Sequence, residues 1–284
     1  MQTLSWDAGG DLTDEHRGRS ERRKLDPRDY HFGMMSGPRK HSAPAGFLTF
    51  VVVLMLAGSA PAGTPMTGSP GQLTAAQIVD QMQRHNAQRA GELKHYTSLR
   101  HYEVQYKGFA ATIDAKMEVE ADYDLVLGKS FRIVSASGSG LMVNRVLKRL
   151  LQTEKEASKD QEATALTPAN YRFNLEGMES VSARPSYVLA VEPLTRNKLL
   201  YRGKVWVDAA DFAVARIEAQ PARNPSFWIA GTSIHHQYAK TDGFWLPERN
   251  RSESKIRLGG TAVLTIDYGA YQLEAVTPLA GGQL

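Results

Sequence analysis

Residues 111 to 123, ATIDAKMEVEADY, alternate apolar and polar side chains without a slip. Ala111, Ile113, Ala115, Met117, Val119, Ala121 and Tyr123 fall on one side; Thr112, Asp114, Lys116, Glu118, Glu120 and Asp122 fall on the other. A helix would scatter these residues around its axis, whereas a strand sends successive side chains to opposite faces. The stretch therefore reads as a β-strand with one wet and one apolar face. At roughly 3.4 Å per residue it would reach about 44 Å, well beyond the usual strand of about 5–6 residues. So long a one-faced strand predicts a sheet that bends around a concave interior. The small or flexible inward residues Ala111, Ala115, Ala121 and Met117 leave room there, for a ligand or for a covering helix.

Period-two patterning continues along most of the chain. HYEVQY (101–106), SFRIVSA (130–136), YRFNL (171–175), SYVLAVE (186–192) and LLYRGKVWVDA (199–209) each read as a strand. So do FAVARIEAQ (212–220), SFWIAGTSIHHQYAK (226–240), FWLPERNRSESKIRL (244–258) and TAVLTIDY (261–268). Lys107-Gly108, Asp208 to Asp211, Thr241-Asp242-Gly243 and Gly259-Gly260 supply turns between them. About ten strands on short turns, with no βαβ alternation, predict a mainly β (α+β) protein. Its sheet is expected to be strongly curved and antiparallel, or an incomplete β-barrel, with covering α-helices.

Two helices are expected. Thr74 reads as an N-cap and Gln77 completes a capping box; Ile78, Val79 and Met82, with Ala90 and Leu93 more loosely, form the apolar stripe that follows. In GLMVNRVLKRLLQTEKEASKD (140–160), Val143, Val146, Leu147, Leu150 and Leu151 recur at helical spacing beside Arg145, Lys148 and Arg149. The continuation, with Glu154 and Glu156, reads as solvent-exposed.

The run FLTFVVVLMLA (47–57) is too short to span a bilayer, which takes about 20 residues. Arg39 and Lys40 precede it and Ala60-Pro61-Ala62 follows, the order of a secretory signal peptide. Residues 34–62 are expected to be that signal, cut near Ala62 to release the protein into the periplasm. An uncleaved anchor in the inner membrane is the alternative. Residues 1–33 are charge-dense and read as a disordered extension, with Met34 or Met35 as the suspected true start. A linker (63–73), one domain (74–276) and a flexible tail (277–284) complete the expected organisation.

Lys and Arg total 34 against 30 Asp and Glu, and no long basic run stands out, so nucleic acid is not an expected partner. The absence of cysteine excludes disulfides, thiolate metal sites and a cysteine nucleophile. His235 and His236 are adjacent in a strand and point to opposite faces, so they do not make a metal pair. SASGSG (135–140) reads as a turn with an N-cap rather than a phosphate loop. No G-x-S-x-G elbow surrounds Ser137 or Ser139, and Glu118/Glu120 and Glu154/Glu156 lie on charged faces. No enzyme activity, cofactor or metal is expected. Trp206, Trp228 and Trp245, each in a strand beside apolar neighbours, suit core packing or a cavity lining.

Two segments, LLYRGKVWVDAADFAVARIEAQPARNPSFWI (199–229) and HHQYAKTDGFWLPERN (235–250), resemble the outer-membrane lipoprotein-sorting superfamily. That superfamily includes the periplasmic lipoprotein carrier and a related sigma-factor regulator. The resemblance spans Thr74 to Tyr271 and implies an incomplete barrel around a hydrophobic cavity closed by helices. It also implies acyl chains as the ligand. The carrier has an Arg-Pro dipeptide whose arginine helps hold its lid; the matching VLGKSFRIV has none, so no lid residue carries over.

The reading is therefore an exported, non-enzymatic protein that holds a lipid, lipoprotein acyl chains or another apolar ligand, as in lipoprotein sorting. Alternation nominates Ile113, Met117, Val119, Phe131, Val205, Val207, Leu264 and Ile266 as cavity lining. One rival is an envelope-stress sensor that binds a membrane-protein partner. The other is a structural envelope protein whose trough is filled by its own helices.

Overall fold

A computed structural model describes residues 73–109, 111–157, 162–197, 199–224 and 226–275. The expected extension, signal peptide and tail, and nearly all of the linker, lie outside the described residues.

Helix α1 (Ala75–Glu92) begins as its sequence dictates. The Thr74 side chain accepts from the Gln77 backbone N–H, and the Gln77 side chain accepts from the Thr74 N–H. The helix stops earlier than its stripe suggested. Leu93 is extended (φ −83°, ψ 103°) and is the first residue of β1 (Leu93–Lys107), which absorbs eight residues before the expected strand start. The alternating stretch at 111–123 forms β2 (Thr112–Asp124), followed by β3 (Gly128–Gly138).

Then comes a continuous covering helix: α2 (Gly140–Met142), a π-helical turn (Val143–Leu147) and α3 (Lys148–Ala157). Ser139 caps it, its hydroxyl accepting from the Met142 N–H. The remaining strands are β4 (Tyr171–Val181), β5 (Arg184–Pro193), β6 (Tyr201–Asp208), β7 (Val214–Pro221), β8 (Ile229–Thr241), β9 (Phe244–Ile256) and β10 (Thr261–Ala275). Asp242 (φ 48°) and Gly243 (φ 89°) both sit in the left-handed region, as a two-residue hairpin turn between β8 and β9 requires.

All ten strands form one antiparallel sheet in the order β3-β2-β1-β10-β9-β8-β7-β6-β5-β4, open between β3 and β4. Directly opposed residues in such a sheet share a face. Following the registers from β4 to β2 gives one row: Leu175, Leu189, Val205, Ile217, His236, Asn250, Ile266, Tyr102 and Met117. Both helices lie on the face this row defines. Under α1, Ile78, Val79 and Met82 pack against Leu189, Val191, Val205, Val207 and Ile217. Under the covering helix, Met142, Val143, Val146, Leu147, Leu150 and Leu151 pack against Tyr102, Val104, Met117, Val119 and Ile266. A smaller cluster on the other face joins Val181, Val188, Trp206 and Ala215, with Trp245 at its margin.

The room left by Ala115, Ala121 and Met117 is thus taken by the protein itself, because all three are buried and Met117 lies under the covering helix. Leu147 is fully buried there, and Leu147→Ala should cost about 2–5 kcal/mol in urea unfolding. Val134→Ser, at a half-exposed site on the edge strand β3, should stay within about 0.5 kcal/mol.

Candidate functional site

The inner face is apolar at both ends and polar in the middle. Thr232, His236, Asn250, Ser252 and Ser254 are all buried on β8 and β9. Asn250 stands opposite Ile266, Ser252 opposite Leu264 and Ser254 opposite Ala262. The Thr232 and Ser254 hydroxyls share a hydrogen bond of 2.8 Å. His236 faces inward and His235 outward, as strand alternation requires.

The eight nominated residues all fall on the inner-face side of the alternation, but in two cores. Met117, Val119 and Ile266 are buried beneath the covering helix, with Phe131 and Leu264 partly buried against them. Val205 and Val207 are buried beneath α1. Ile113 is 37% exposed at the margin. None of the eight lines either of two clefts on the sheet and its connections, of about 790 and 630 Å³. The larger crosses β4 to β8. Nine of its fourteen lining residues belong to the opposite, solvated face, among them Arg172, Glu192, Arg202, Glu218 and His235. The aromatics divide similarly. Trp206 is buried in the outer-face cluster and donates to Glu179 (2.8 Å), Trp245 donates to Asp211 (3.0 Å), and Trp228 is half-exposed.

The group that alternation did not nominate is an ion pair. Arg100, only 1% exposed in β1, donates from Nη1 to Glu154 Oε1 of α3 at 2.9 Å. Lys129 Nζ of β3 lies 3.7 Å from the same oxygen. The Arg100 guanidinium sits over the Phe131 ring at 5.3 Å and the Tyr268 ring at 4.9 Å. Glu154, expected on a solvated face, is buried, which corrects that reading.

Burial opposes the Glu154 charge, but Arg100 and Lys129 outweigh it and hold the carboxyl below its ordinary value. Burial likewise opposes the guanidinium charge, and Glu154 together with Tyr102, Tyr268 and Tyr96 more than compensates. Among the described residues, Arg100 Nε and Ser98 Oγ are buried without a hydrogen-bond partner. Both signals were present in the sequence. Glu154 continues the stripe 143, 146, 147, 150, 151, and Arg100 shares the inward parity of Tyr96, Ser98, Tyr102 and Val104. A charged residue on an apolar stripe reads as its edge, and the period-two pattern reads as beginning only at His101.

No family model matches the chain, and no curated protein does. Among solved structures, the chain is similar to a DUF1329 family protein from Desulfovibrio piger at 13% identity and a TM-score of 0.40. That match covers 71% of this chain and 93% of the other. A LolA superfamily protein from Nitrosomonas europaea matches at 13% identity and a TM-score of 0.32, covering 72% and 96%. An outer membrane lipoprotein-sorting protein domain from Vibrio parahaemolyticus matches at 11% and 0.37, covering 70% and 93%. Likenesses of this degree carry no argument about ligand or activity, and the architecture rests on the registers given above. An open antiparallel sheet with helices on its inner face is what the sequence resemblance implied.

Two predictions follow from the buried charges. Glu154→Gln should cost about 3–5 kcal/mol by leaving Arg100 buried and unpaired, whereas Arg100→Met with Glu154→Leu should recover most of that loss. A double-mutant cycle in urea checks this. Burial lowers the His236 pKa from 6.5 to about 4. The unfolded chain therefore takes the proton first as pH falls, so this contribution is intact above about 6.5 and lost progressively down to about 4. The loss is at most about 3 kcal/mol. Glu154, depressed below 4.5, contributes above that value and loses its contribution only at lower pH. Unfolding free energy measured between these limits should slope in the wild type and flatten in His236→Gln.

Proposed function

We propose that the protein is an exported binding protein that accepts an amphiphile, a lipid or lipoprotein acyl chains, on the inner face of its sheet. The observation that supports this most is the covering helix. A continuous apolar surface on β10, β1 and β2 is closed by one amphipathic segment with a buried ionic tie to the sheet. Displacing that segment would open Met117, Val119, Phe131, Leu264 and Ile266 to a ligand.

Magnitudes favour exchange over permanent closure. Six buried apolar side chains of the helix, at about 1.5–3 kcal/mol each, contribute roughly 9–18 kcal/mol. An acyl chain of about fifteen methylenes, at about 0.8 kcal/mol each, gains about 12 kcal/mol on the same surface. The two occupants are therefore closely matched. The polar strip of Thr232, His236, Asn250, Ser252 and Ser254 adjoins the same surface, which suits a ligand with a polar head and an apolar tail.

Native mass spectrometry of the protein purified from a periplasmic extract should show bound lipid, and delipidated protein should take up a fluorescent fatty acid. Glu154→Gln should speed that uptake by about tenfold or more, because losing about 1.4 kcal/mol of closure is enough for that factor. Protein that emerges without lipid and takes up no fatty acid would overturn the reading. A specific crosslinked membrane protein in its place would favour a regulatory role.

A further inference from the structure

The antiparallel order gathers the connections that follow β1, β3, β5, β7 and β9 at one end of the sheet. These connections expose large apolar side chains. Phe109 is 93% exposed, Phe227 and Leu258 75% and Trp228 50%, with Leu141 and Leu194 also exposed. Three of the connections form one patch. The Phe109 ring lies so close to Gly259 that a Cβ there would overlap it, and the Tyr106 hydroxyl donates to the Gly259 carbonyl at 3.0 Å. The Arg257 N–H donates to the Trp228 carbonyl at 2.8 Å, its guanidinium lies 5.3 Å from the Phe227 ring centre, and that ring meets Trp228 edge-on.

Charge at this end is mostly positive, with Glu162, in the stretch that leads back into β4, as an exposed acid. The segments 107–111, 138–142, 194–200, 222–228 and 257–260 contain no Asp or Glu. They contribute the exposed Arg196, Arg223 and Arg257, and none of the three forms an ion pair among the described residues. Arg196 and Arg223 line a cleft of about 630 Å³ together with Asn197, Asn224 and Phe227. The connections at the opposite end carry Asp124, Asp208, Asp211 and Asp242. Exposed Val126 and Leu127 lie there too, but their backbone N–H groups donate to the Asp124 carboxylate, which keeps negative charge beside them.

We propose that the aromatic, arginine-bearing end is a docking surface for an anionic lipid bilayer. Amphipathic aromatic rings favour the boundary between headgroups and acyl chains, and guanidinium groups bind phosphate through paired N–H donors. The two-arginine cleft would hold a lipid phosphate while Phe109, Phe227, Trp228 and Leu258 enter the interface. At the opposite end Asp208 and Asp211 are paired with Arg184 and Lys240, so the cationic, aromatic end is the one that favours an anionic surface. Docking of this kind does not require the covering helix to move, and it stands apart from the ligand proposed above.

The test is co-sedimentation of the mature chain with vesicles of phosphatidylcholine alone or mixed with phosphatidylglycerol. Binding should be at least about tenfold stronger to the mixed vesicles and should weaken as salt screens the charges. Phe227→Ala with Trp228→Ala should reduce it about tenfold, and so should Arg223→Glu with Arg257→Glu. All four positions are exposed, and unchanged thermal unfolding of each variant confirms its fold. Val126→Ser with Leu127→Ser should bind as the wild type does. A blue shift of fluorescence on the mixed vesicles should vanish in Trp228→Phe. The proposal is overturned if the wild type ignores anionic vesicles, if the aromatic and arginine variants bind undiminished, or if only the Val126/Leu127 variant loses binding.

Discussion

An open sheet of ten strands whose inner face carries two broad apolar halves cannot stand in water uncovered. The remainder of the structure follows from that constraint. A closed barrel would turn its inner residues toward one another, but β3 and β4 do not pair here, so helices must supply the missing contacts. The free edge at β3 is kept soluble by exposed residues along nearly its whole length, with Arg132 paired to Glu120 of β2. The inner row divides the work. Its two apolar halves each take a helix, and β8 and β9 between them carry buried polar groups where neither helix core extends.

The two coverings are held differently. Helix α1 runs directly into β1, and Arg89 near its end donates to the Asp211 carbonyl at 2.8 Å. Asp211 is itself held by Arg184, Lys240 and Trp245, so α1 is pinned to a turn with several independent supports. The covering helix has a weaker polar attachment. The Arg100–Glu154 contact is strong as geometry, yet burying both charges offsets much of its Coulombic gain, and Arg100 Nε has no partner among the described residues. A closure built mainly on six apolar side chains, with a buried Glu154 carboxylate shared by Arg100 and Lys129, is open to competition from an occupant of equal apolar area. The π-helical turn Val143–Leu147, in the middle of that segment, departs further from regular helix geometry.

Where one residue's environment is set by its neighbours in sequence, the amino-acid pattern was enough. Alternation located all ten strands, the Thr74 capping box and Asp242-Gly243 marked a helix start and a hairpin, and Val143 to Leu151 gave the inward stripe of the covering helix. Long-range pairing is what the pattern could not carry. Nothing local says that Arg100 meets Glu154 across 54 positions of chain, or that Val205 and Met117, equally apolar and equally inward, belong to different cores. Turn chemistry marked the connections at Lys107-Gly108 and Gly259-Gly260, but Phe227, Trp228 and Leu258 read as strand residues, whereas β8 begins only at Ile229 and β9 ends at Ile256. Only the strand order shows that these loops share one end.

That shared end is also where the covering helix starts. Gly138 takes φ 83° with the Asp114 carbonyl and the Ala115 backbone too near for any Cβ, and the Ser139 N–H donates to that carbonyl at 2.8 Å. The chain is thus clamped to β2 just before the helix, while Leu141, the second helical residue, is exposed beside the cationic rim. A bilayer at this rim would touch the helix at its start and leave the Arg100–Glu154 tie, midway along β1, near the other end of the helix. Movement of the helix about Gly138 to Gly140 would then open the apolar face from the end away from the clamp. The same geometry ties the two proposals to one direction of motion without making either depend on the other.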